Sequence, residues 1–141
     1  MNELDADLVE LIAARSRGRM DLLAWAHSPD GNRAVTFLLV RDSGYWLESL
    51  YVRCETGWSE VTTSNGTLSY SHGVIRLYGH APEQAAAALV SWQDTIHETP
   101  VHNGHFAFAA WDLDDEEFLD SDEPHLVGFI DAGGRRLGEH L

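Results

Sequence analysis

The apolar residues of the first segment, residues 3–15, follow a helical pattern. Four of them recur at spacings of four, three and one, which places them on one helix face: Leu4, Leu8, Leu11 and Ile12. Asn2 can cap the start of this helix, and Gly18 can end it. The pattern predicts an amphipathic helix whose leucine face packs on the rest of the chain.

From Met20 onward, short apolar runs separated by turn residues replace the helical pattern. Three runs, "DLLAWAH", "RAVTFLLVR" and "YWLESLYVRC", are joined by the turn sequences "SPDGN" and "DSG". Such short connections predict three antiparallel strands in a meander. The polar, glycine- and serine-rich residues 63–73 then predict a long loop at the midpoint of the chain.

The second half of the chain continues with strand patterns. "VIRLYGH", "HFAFAAWDL" and "HLVGFIDAG" each predict a strand, and the last of them is expected to be the final one. Residues 82–93 are ambiguous, because Pro82 and four alanines favour a helix whereas "ALVSW" favours a strand. We favour the strand, which would pair with "TIHETPV" across Gln93 and Asp94.

Residues 74–134 resemble immunoglobulin-like β-sandwich domains of uncharacterised bacterial proteins, through "VIRLYGHAP", "TPVHNGHFAFAAW" and "HLVGFIDAGG". The resemblance implies a binding or scaffolding module and carries over no catalytic residue. We therefore predict one mostly β domain over residues 1–141, an immunoglobulin-like antiparallel β-sandwich with an N-terminal amphipathic helix. The first half also resembles an α+β cone, in which a helix packs on a curved sheet, and this is the alternative fold.

The stretch "HETPVHNGHF" predicts a β-hairpin, because Asn-Gly between alternating apolar residues is a strong signal for a tight turn. With Asn103 and Gly104 in the turn, His102 and His105 share one face and His97 points to the other. Three histidines then cannot converge on one metal ion. A helical zinc-protease motif is excluded too, since "HETPVH" spaces its histidines five apart around a proline. His102 and His105 remain candidate binding residues that could hold a stray divalent metal ion.

The segment "DLDDEEFLDSDE", residues 112–123, holds eight acidic residues in twelve. Five of them fall at positions 1, 3, 5, 9 and 12 of a calcium-binding loop: Asp112, Asp114, Glu116, Asp120 and Glu123. Glu117 stands where that loop needs glycine, and Pro124 blocks the helix that should follow. The pattern favours a solvated acidic loop, with weak calcium binding as the alternative and no other cofactor.

Two tryptophans are candidate contact residues. Strand alternation places Tyr45 and Trp46 on opposite faces, so one of them lies outside the core. Trp111 shares the face of His102 and His105, and if that face is the outer one, Trp111 is exposed for binding. The alternative is that a helix or the acidic loop covers Trp111.

The charge of the chain narrows its possible partners. It carries 23 acidic and 9 basic residues, a formal net charge of −14, which repels nucleic acids and anionic membranes. All the basic residues are arginine, so a Walker-type phosphate loop and Schiff-base chemistry are excluded. Cys54 is the single cysteine, which excludes an intramolecular disulfide, and its place at the end of an apolar strand predicts that it is buried.

These features favour a non-catalytic protein. The prediction is an acidic cytoplasmic interaction module, an adaptor or an inhibitor of the immunity-protein type, that docks on a basic protein. Cytoplasmic location is expected because the chain shows neither a signal-peptide pattern nor a membrane-spanning apolar run. The alternative is a small-ligand or metal-binding domain on the cone fold. A third possibility is a homodimer formed through the leucine face of residues 4–12.

Overall fold

The computed structural model of the chain describes residues 4–114, 116 and 122–137. In this part of the chain one helix precedes eleven strands, which form two antiparallel sheets. The elements are α1 (Ala6–Ser16), β1 (Met20–His27), β2 (Arg33–Val40), β3 (Trp46–Cys54), β4 (Gly57–Ser64), β5 (Leu68–Ser71), β6 (Val74–His80), β7 (Ala87–Trp92), β8 (Thr95–His102), β9 (His105–Ala110), β10 (His125–Ile130) and β11 (Arg136–Leu137).

The helix α1 is capped by Asp5, whereas the predicted cap, Asn2, lies outside the described residues. The Asp5 carboxylate accepts hydrogen bonds from the backbone N–H of Asp7 at 2.9 Å and from the Trp58 indole at 3.2 Å, and it also pairs with Arg53. Burial opposes ionisation of Asp5, but the hydrogen bonds and the Arg53 charge prevail and lower its pKa. One carboxylate therefore starts the helix and ties it to β3 and β4. At the other end Arg17 adopts a left-handed conformation, and the chain leaves the helix at Gly18.

The first sheet is the predicted meander extended by one strand, in the order β1-β2-β3-β4. The prediction of a loop over residues 63–73 is wrong, because β4 runs to Ser64 and Leu68–Ser71 forms β5. Both strands are polar edge strands whose serine and threonine hydroxyls bond across to neighbours. Thr63 Oγ1, for example, donates to the Glu48 carbonyl at 3.0 Å. Such strands lack the apolar alternation by which strands are recognised in a sequence.

The second sheet has the order β11-β10-β7-β8-β9-β6-β5. Strand β7 confirms the strand interpretation of residues 82–93, and it pairs with β8 across a tight turn in which Gln93 and Asp94 have φ of 50° and 61°. The strand predicted to be the last, β10, is followed by the short β11, so that part of the prediction is wrong. A turn at residues 131–134, held by Asp131, brings the chain back against β10.

Three apolar layers hold these elements together. In the outer layer, Leu4, Leu8 and Ile12 from the helix side pack on one face of the first sheet. The middle layer lies between the sheets, where Val35, Phe37 and Leu50 meet Val74, Tyr78 and Ala107. The third layer forms where the second sheet folds over itself, so that Phe106 and Phe108 of β9 pack against Ala88 and Val90 of β7.

The fold class is the predicted one: mostly β, with two antiparallel sheets stacked as a sandwich and one short helix. The leucine face of the helix is used inside the chain, because Leu8 is fully buried and Ile12 is 6% exposed. The proposed dimer surface of residues 4–12 is therefore covered by the first sheet. The resemblance to immunoglobulin-like domains stays a prediction.

Leu8→Ala should lower the free energy of unfolding by about 2–5 kcal/mol, because it leaves a cavity between helix and sheet. The neighbouring Val9 is 41% exposed, so Val9→Ala should change this free energy by less than about 0.5 kcal/mol. Urea denaturation followed by circular dichroism measures both. Equal losses in the two variants would contradict the packing of α1 on the first sheet.

Candidate functional site

The carboxylate of Glu48, which is fully buried on β3, accepts four hydrogen bonds from side chains. Arg76 of β6, 1% exposed, donates to it from Nε at 2.9 Å and from Nη2 at 2.8 Å. The Tyr78 hydroxyl donates at 2.8 Å and the Ser64 hydroxyl at 2.7 Å. This bidentate ion pair joins the first sheet to the second through the middle layer.

The remaining donor nitrogen of Arg76 is bonded as well. Nη1 donates to the Ser71 hydroxyl at 2.9 Å and to the Val74 carbonyl at 3.0 Å. Burial and the neighbouring Glu48 raise the pKa of Tyr78 well above its usual value, so its hydroxyl stays protonated as a donor. Glu48, Arg76 and Tyr78 are thus paired with one another inside the core, an arrangement that holds the two sheets together.

The sequence analysis missed this network, although the sequence contains a signal for it. Glu48 lies within the apolar strand "YWLESLYVRC" and Arg76 within "VIRLYGH", each at a position with the parity of core residues. Two opposite charges at core positions of two strands indicate a buried ion pair, because neither could be buried alone.

Three acidic residues of the second half, Asp94, Asp122 and Glu123, lie together at one end of the second sheet. The β7–β8 turn with Asp94 and the entry to β10 are at this end, since His125 pairs with Ser91. A cleft of about 380 Å³ opens there. Its lining residues are Ser91, Trp92, Gln93, Asp94, Asp122, Glu123 and His125. Three exposed carboxylates thus surround a cleft of the size of a side chain or a small ligand.

Of the five predicted calcium ligands, the four that the structure describes do not form a cage for a metal ion. Asp112 pairs with Arg33 at 2.9 Å, and Asp114, Glu116 and Glu123 are exposed. Asp120 lies outside the described residues. Within the described ranges, no group of three or more histidine, cysteine or acidic side chains is arranged to hold a metal ion. Calcium binding by this segment stays a prediction.

The opposite end of the second sheet carries the predicted hairpin. Val101 pairs with Phe106 and His102 with His105 across the Asn103–Gly104 turn, as expected. The histidine pair faces the first sheet: the His102 ring stacks on Trp25, with centroids 4.1 Å apart. His97 points the other way, with its ring 5.3 Å from that of Phe108.

A third histidine, which the sequence analysis overlooked, joins this end. His80 at the end of β6 pairs directly with His105, and their ring centroids are 4.5 Å apart. Trp46 contacts both rings, at 4.7 Å from His80 and 6.4 Å from His105. Only the register between β6 and β9 brings His80 here, and that register is a long-range property that local patterns do not contain.

The two candidate tryptophans both lie on the inner side of the sandwich. Trp46 is partly buried edge-on to Phe37, while its neighbour Tyr45 is 53% exposed, which confirms that one of the two lies outside the core. The face that carries Trp111 is the inner one, so the condition under which Trp111 would be exposed for binding is not met. The first sheet covers Trp111 partly, and the Arg33 guanidinium lies 5.1 Å from its ring centroid.

Cys54 is exposed, so the prediction that it is buried is wrong. Strand β3 leaves the core in its last residues, and Arg53 and Cys54 both point to solvent-accessible positions. The Cys54 thiol lies 3.4 Å from the Ser59 hydroxyl on β4. The apolar alternation of β3 ends before the strand does.

A second cleft, of about 230 Å³, lies between the helix and the first sheet and is mostly apolar. Its lining residues are Ile12, Arg15, Met20, Leu38, Leu47, Ser49, Tyr51, Glu60 and Thr63. Arg15 and Glu60 pair at 3.7 Å. Burial, together with the Glu60 charge, raises the pKa of Tyr51 to about 12, so its hydroxyl is neutral.

No protein-family model, curated protein or solved structure matches the chain. Among the described residues, no helix is long and apolar enough to cross a membrane.

Glu48→Gln should lower the free energy of unfolding by about 3–5 kcal/mol, because Arg76 would be left buried without its counter-charge. The double variant Glu48→Leu/Arg76→Met should lose less than Glu48→Gln alone, since it removes both charges. Urea denaturation of the variants gives these free energies.

Arg41→Met serves as the control, because the Arg41–Asp21 pair is half exposed and should contribute no more than about 1 kcal/mol. A loss in Glu48→Gln no larger than in Arg41→Met would show that the buried pair does not stabilise the junction between the sheets.

Proposed function

We propose that this chain is a non-catalytic, acidic cytoplasmic interaction module, an adaptor or an inhibitor of the immunity-protein type, that docks on a basic protein. The observation that carries the proposal is the acidic cleft at one end of the second sheet, where Asp94, Asp122 and Glu123 converge. An arginine or lysine side chain of a partner matches this cleft in charge and size.

The distribution of the arginines supports this assignment. Five of them are held in ion pairs with acidic residues that do not line the cleft, namely Asp5, Asp21, Glu48, Glu60 and Asp112. No arginine is among the described residues that line the cleft. The carboxylates of the cleft therefore have no arginine beside them among its described lining residues, which favours fast association with a positively charged surface.

The core network supports a non-catalytic role. Glu48, Arg76 and Tyr78 form one buried network, in which burial and Glu48 raise the pKa of Tyr78, and the hydrogen bond to Glu48 raises that of Arg76 against the effect of burial. Groups with shifted pKa values mark active sites in many enzymes. Here they are 3% exposed or less and bonded to one another, which is the arrangement of a structural ion pair.

Docking is tested by capture of basic proteins from host lysate on the terminally tagged chain, with a calcium chelator present and stepwise elution by salt. A basic partner should elute at moderate salt, because exposed charge pairs are screened. Asp94→Asn/Asp122→Asn/Glu123→Gln should weaken its affinity by about tenfold, since each exposed pair contributes roughly 0.2–1 kcal/mol.

The matched control is Glu10→Gln/Glu55→Gln/Glu83→Gln, which removes the same charge from exposed positions elsewhere. It should weaken binding by no more than about threefold through the general field. Equal effects of the two triple variants, or binding that salt does not weaken, would contradict docking at the acidic cleft.

We propose small-ligand binding as the second candidate function, because the apolar cleft between helix and sheet offers about 230 Å³ beside the neutral Tyr51 hydroxyl. Its occupant would be a small, mostly apolar molecule with one polar group.

A thermal-shift screen with small uncharged compounds tests this second candidate. A compound that raises the melting temperature should lose its effect in Thr63→Trp, where the exposed rim residue is enlarged to close the cleft. Thr67→Trp, exposed and outside the cleft, should keep it. A stabilising effect that survives Thr63→Trp would place the ligand elsewhere.

A further inference from the structure

The hairpin end of the second sheet aligns three histidines in one row. His80 pairs with His105 across β6 and β9, and His105 pairs with His102 across β9 and β8. Residues that are directly opposite each other in antiparallel strands project from the same face. The three imidazoles therefore lie side by side on the face that turns toward the first sheet.

Trp25 separates His102 from the other two histidines of the row. This indole stacks on His102 with an interplanar angle of 13°, which turns that imidazole toward β1. His80 and His105 instead face each other at 4.5 Å with an interplanar angle of 47°. With metal–nitrogen bonds of about 2.0 Å, two imidazoles in adjacent positions on one ion have ring centres roughly 4.5–5 Å apart.

A hydrogen bond to the backbone fixes which ring nitrogen of His105 carries the proton. Its Nδ1 lies 3.1 Å from the Asn103 carbonyl oxygen, which can only accept, so Nδ1 carries the proton. In the neutral ring Nε2 then presents its lone pair. A histidine oriented by a backbone carbonyl in this way is the usual arrangement of a metal ligand.

The imidazole pair is open to solvent on the side of His80 and is flanked by aromatic side chains. His80 is exposed, whereas Trp46 and Phe37 form an aromatic wall beside the two rings.

We propose that His80 and His105 form a two-imidazole site for a divalent transition metal ion, with Cu²⁺ as the preferred ion. Imidazole nitrogen suits copper, nickel and zinc, and Cu²⁺ binds such ligands most tightly in this series. Two protein ligands leave the other positions to water or to a donor from a bound partner. The site lies at the opposite end of the second sheet from the acidic cleft and does not depend on the proposed function.

The probe is Cu²⁺ itself, titrated into the intact chain in a non-coordinating buffer with excess Mg²⁺ to occupy the carboxylates. Binding is measured by calorimetry and by tryptophan fluorescence. Stoichiometric Cu²⁺ should quench part of the fluorescence, because Trp46 lies 4.7 Å from His80. Trp46→Phe should remove most of this quenching while the calorimetric affinity stays within about threefold.

Variants of the row locate the ligands. His80→Gln and His105→Gln should each weaken Cu²⁺ binding by at least about tenfold. His97→Gln, on the opposite face, and His102→Gln, held by Trp25, should leave the affinity unchanged. Circular dichroism of each variant checks that it is folded. Because His80 is exposed, His80→Gln should not disturb the core.

Two results would overturn the assignment. If His80→Gln and His105→Gln bind Cu²⁺ as tightly as the native chain, the imidazole pair is an aromatic contact without a metal. If His102→Gln weakens binding as strongly as they do, the ligands are not this pair.

Discussion

The ion pair between Glu48 and Arg76 is the constraint on which the two-sheet arrangement depends. Each residue is at most 1% exposed and belongs to a different sheet, so neither charge can be buried unless the sheets meet. Apolar contacts between sheets tolerate small shifts, whereas a bidentate pair has one geometry. Tyr78 and Ser64 add further donors to the same carboxylate. The pair thereby fixes how the first sheet sits on the second.

This alignment also fixes where the charged and aromatic groups come to lie. Strand β8 begins at the turn beside the acidic cleft and ends at the hairpin with the histidine row. The cleft and the row therefore lie at opposite ends of the same sheet. Strand β1 lies against the hairpin, which places Trp25 on His102. Trp46, at the start of β3, lies against His80. The proposed docking cleft and the proposed metal site are therefore separated by the length of β8.

Local patterns predicted the parts of this structure that local physics determines. The helix face of Leu8 and Ile12, the meander of the first three strands and the Asn103–Gly104 hairpin follow from periodicity and turn chemistry. The polar strands that overlap residues 63–73 were missed because they show no apolar alternation: hydrogen bonds of their side-chain hydroxyls to neighbouring strands stabilise them. His80 was missed because only the β6–β9 register brings it to His105. Cys54 was misplaced because β3 extends beyond the core.

The inner position of Trp111 has the most general cause, which is that both faces of β9 are buried. Its large residues, Phe106 and Phe108, fill the layer against β7, and its small residues, Ala107 and Ala109, let the first sheet approach. Alternation of large and small apolar residues thus indicates a strand that is buried on both faces. Alternation of apolar and polar residues would instead indicate a strand with one exposed face. A strand of this kind offers no side-chain face to a partner. The two proposed sites of this part of the chain accordingly lie at strand ends and turns, where the carboxylates and the imidazole pair are found.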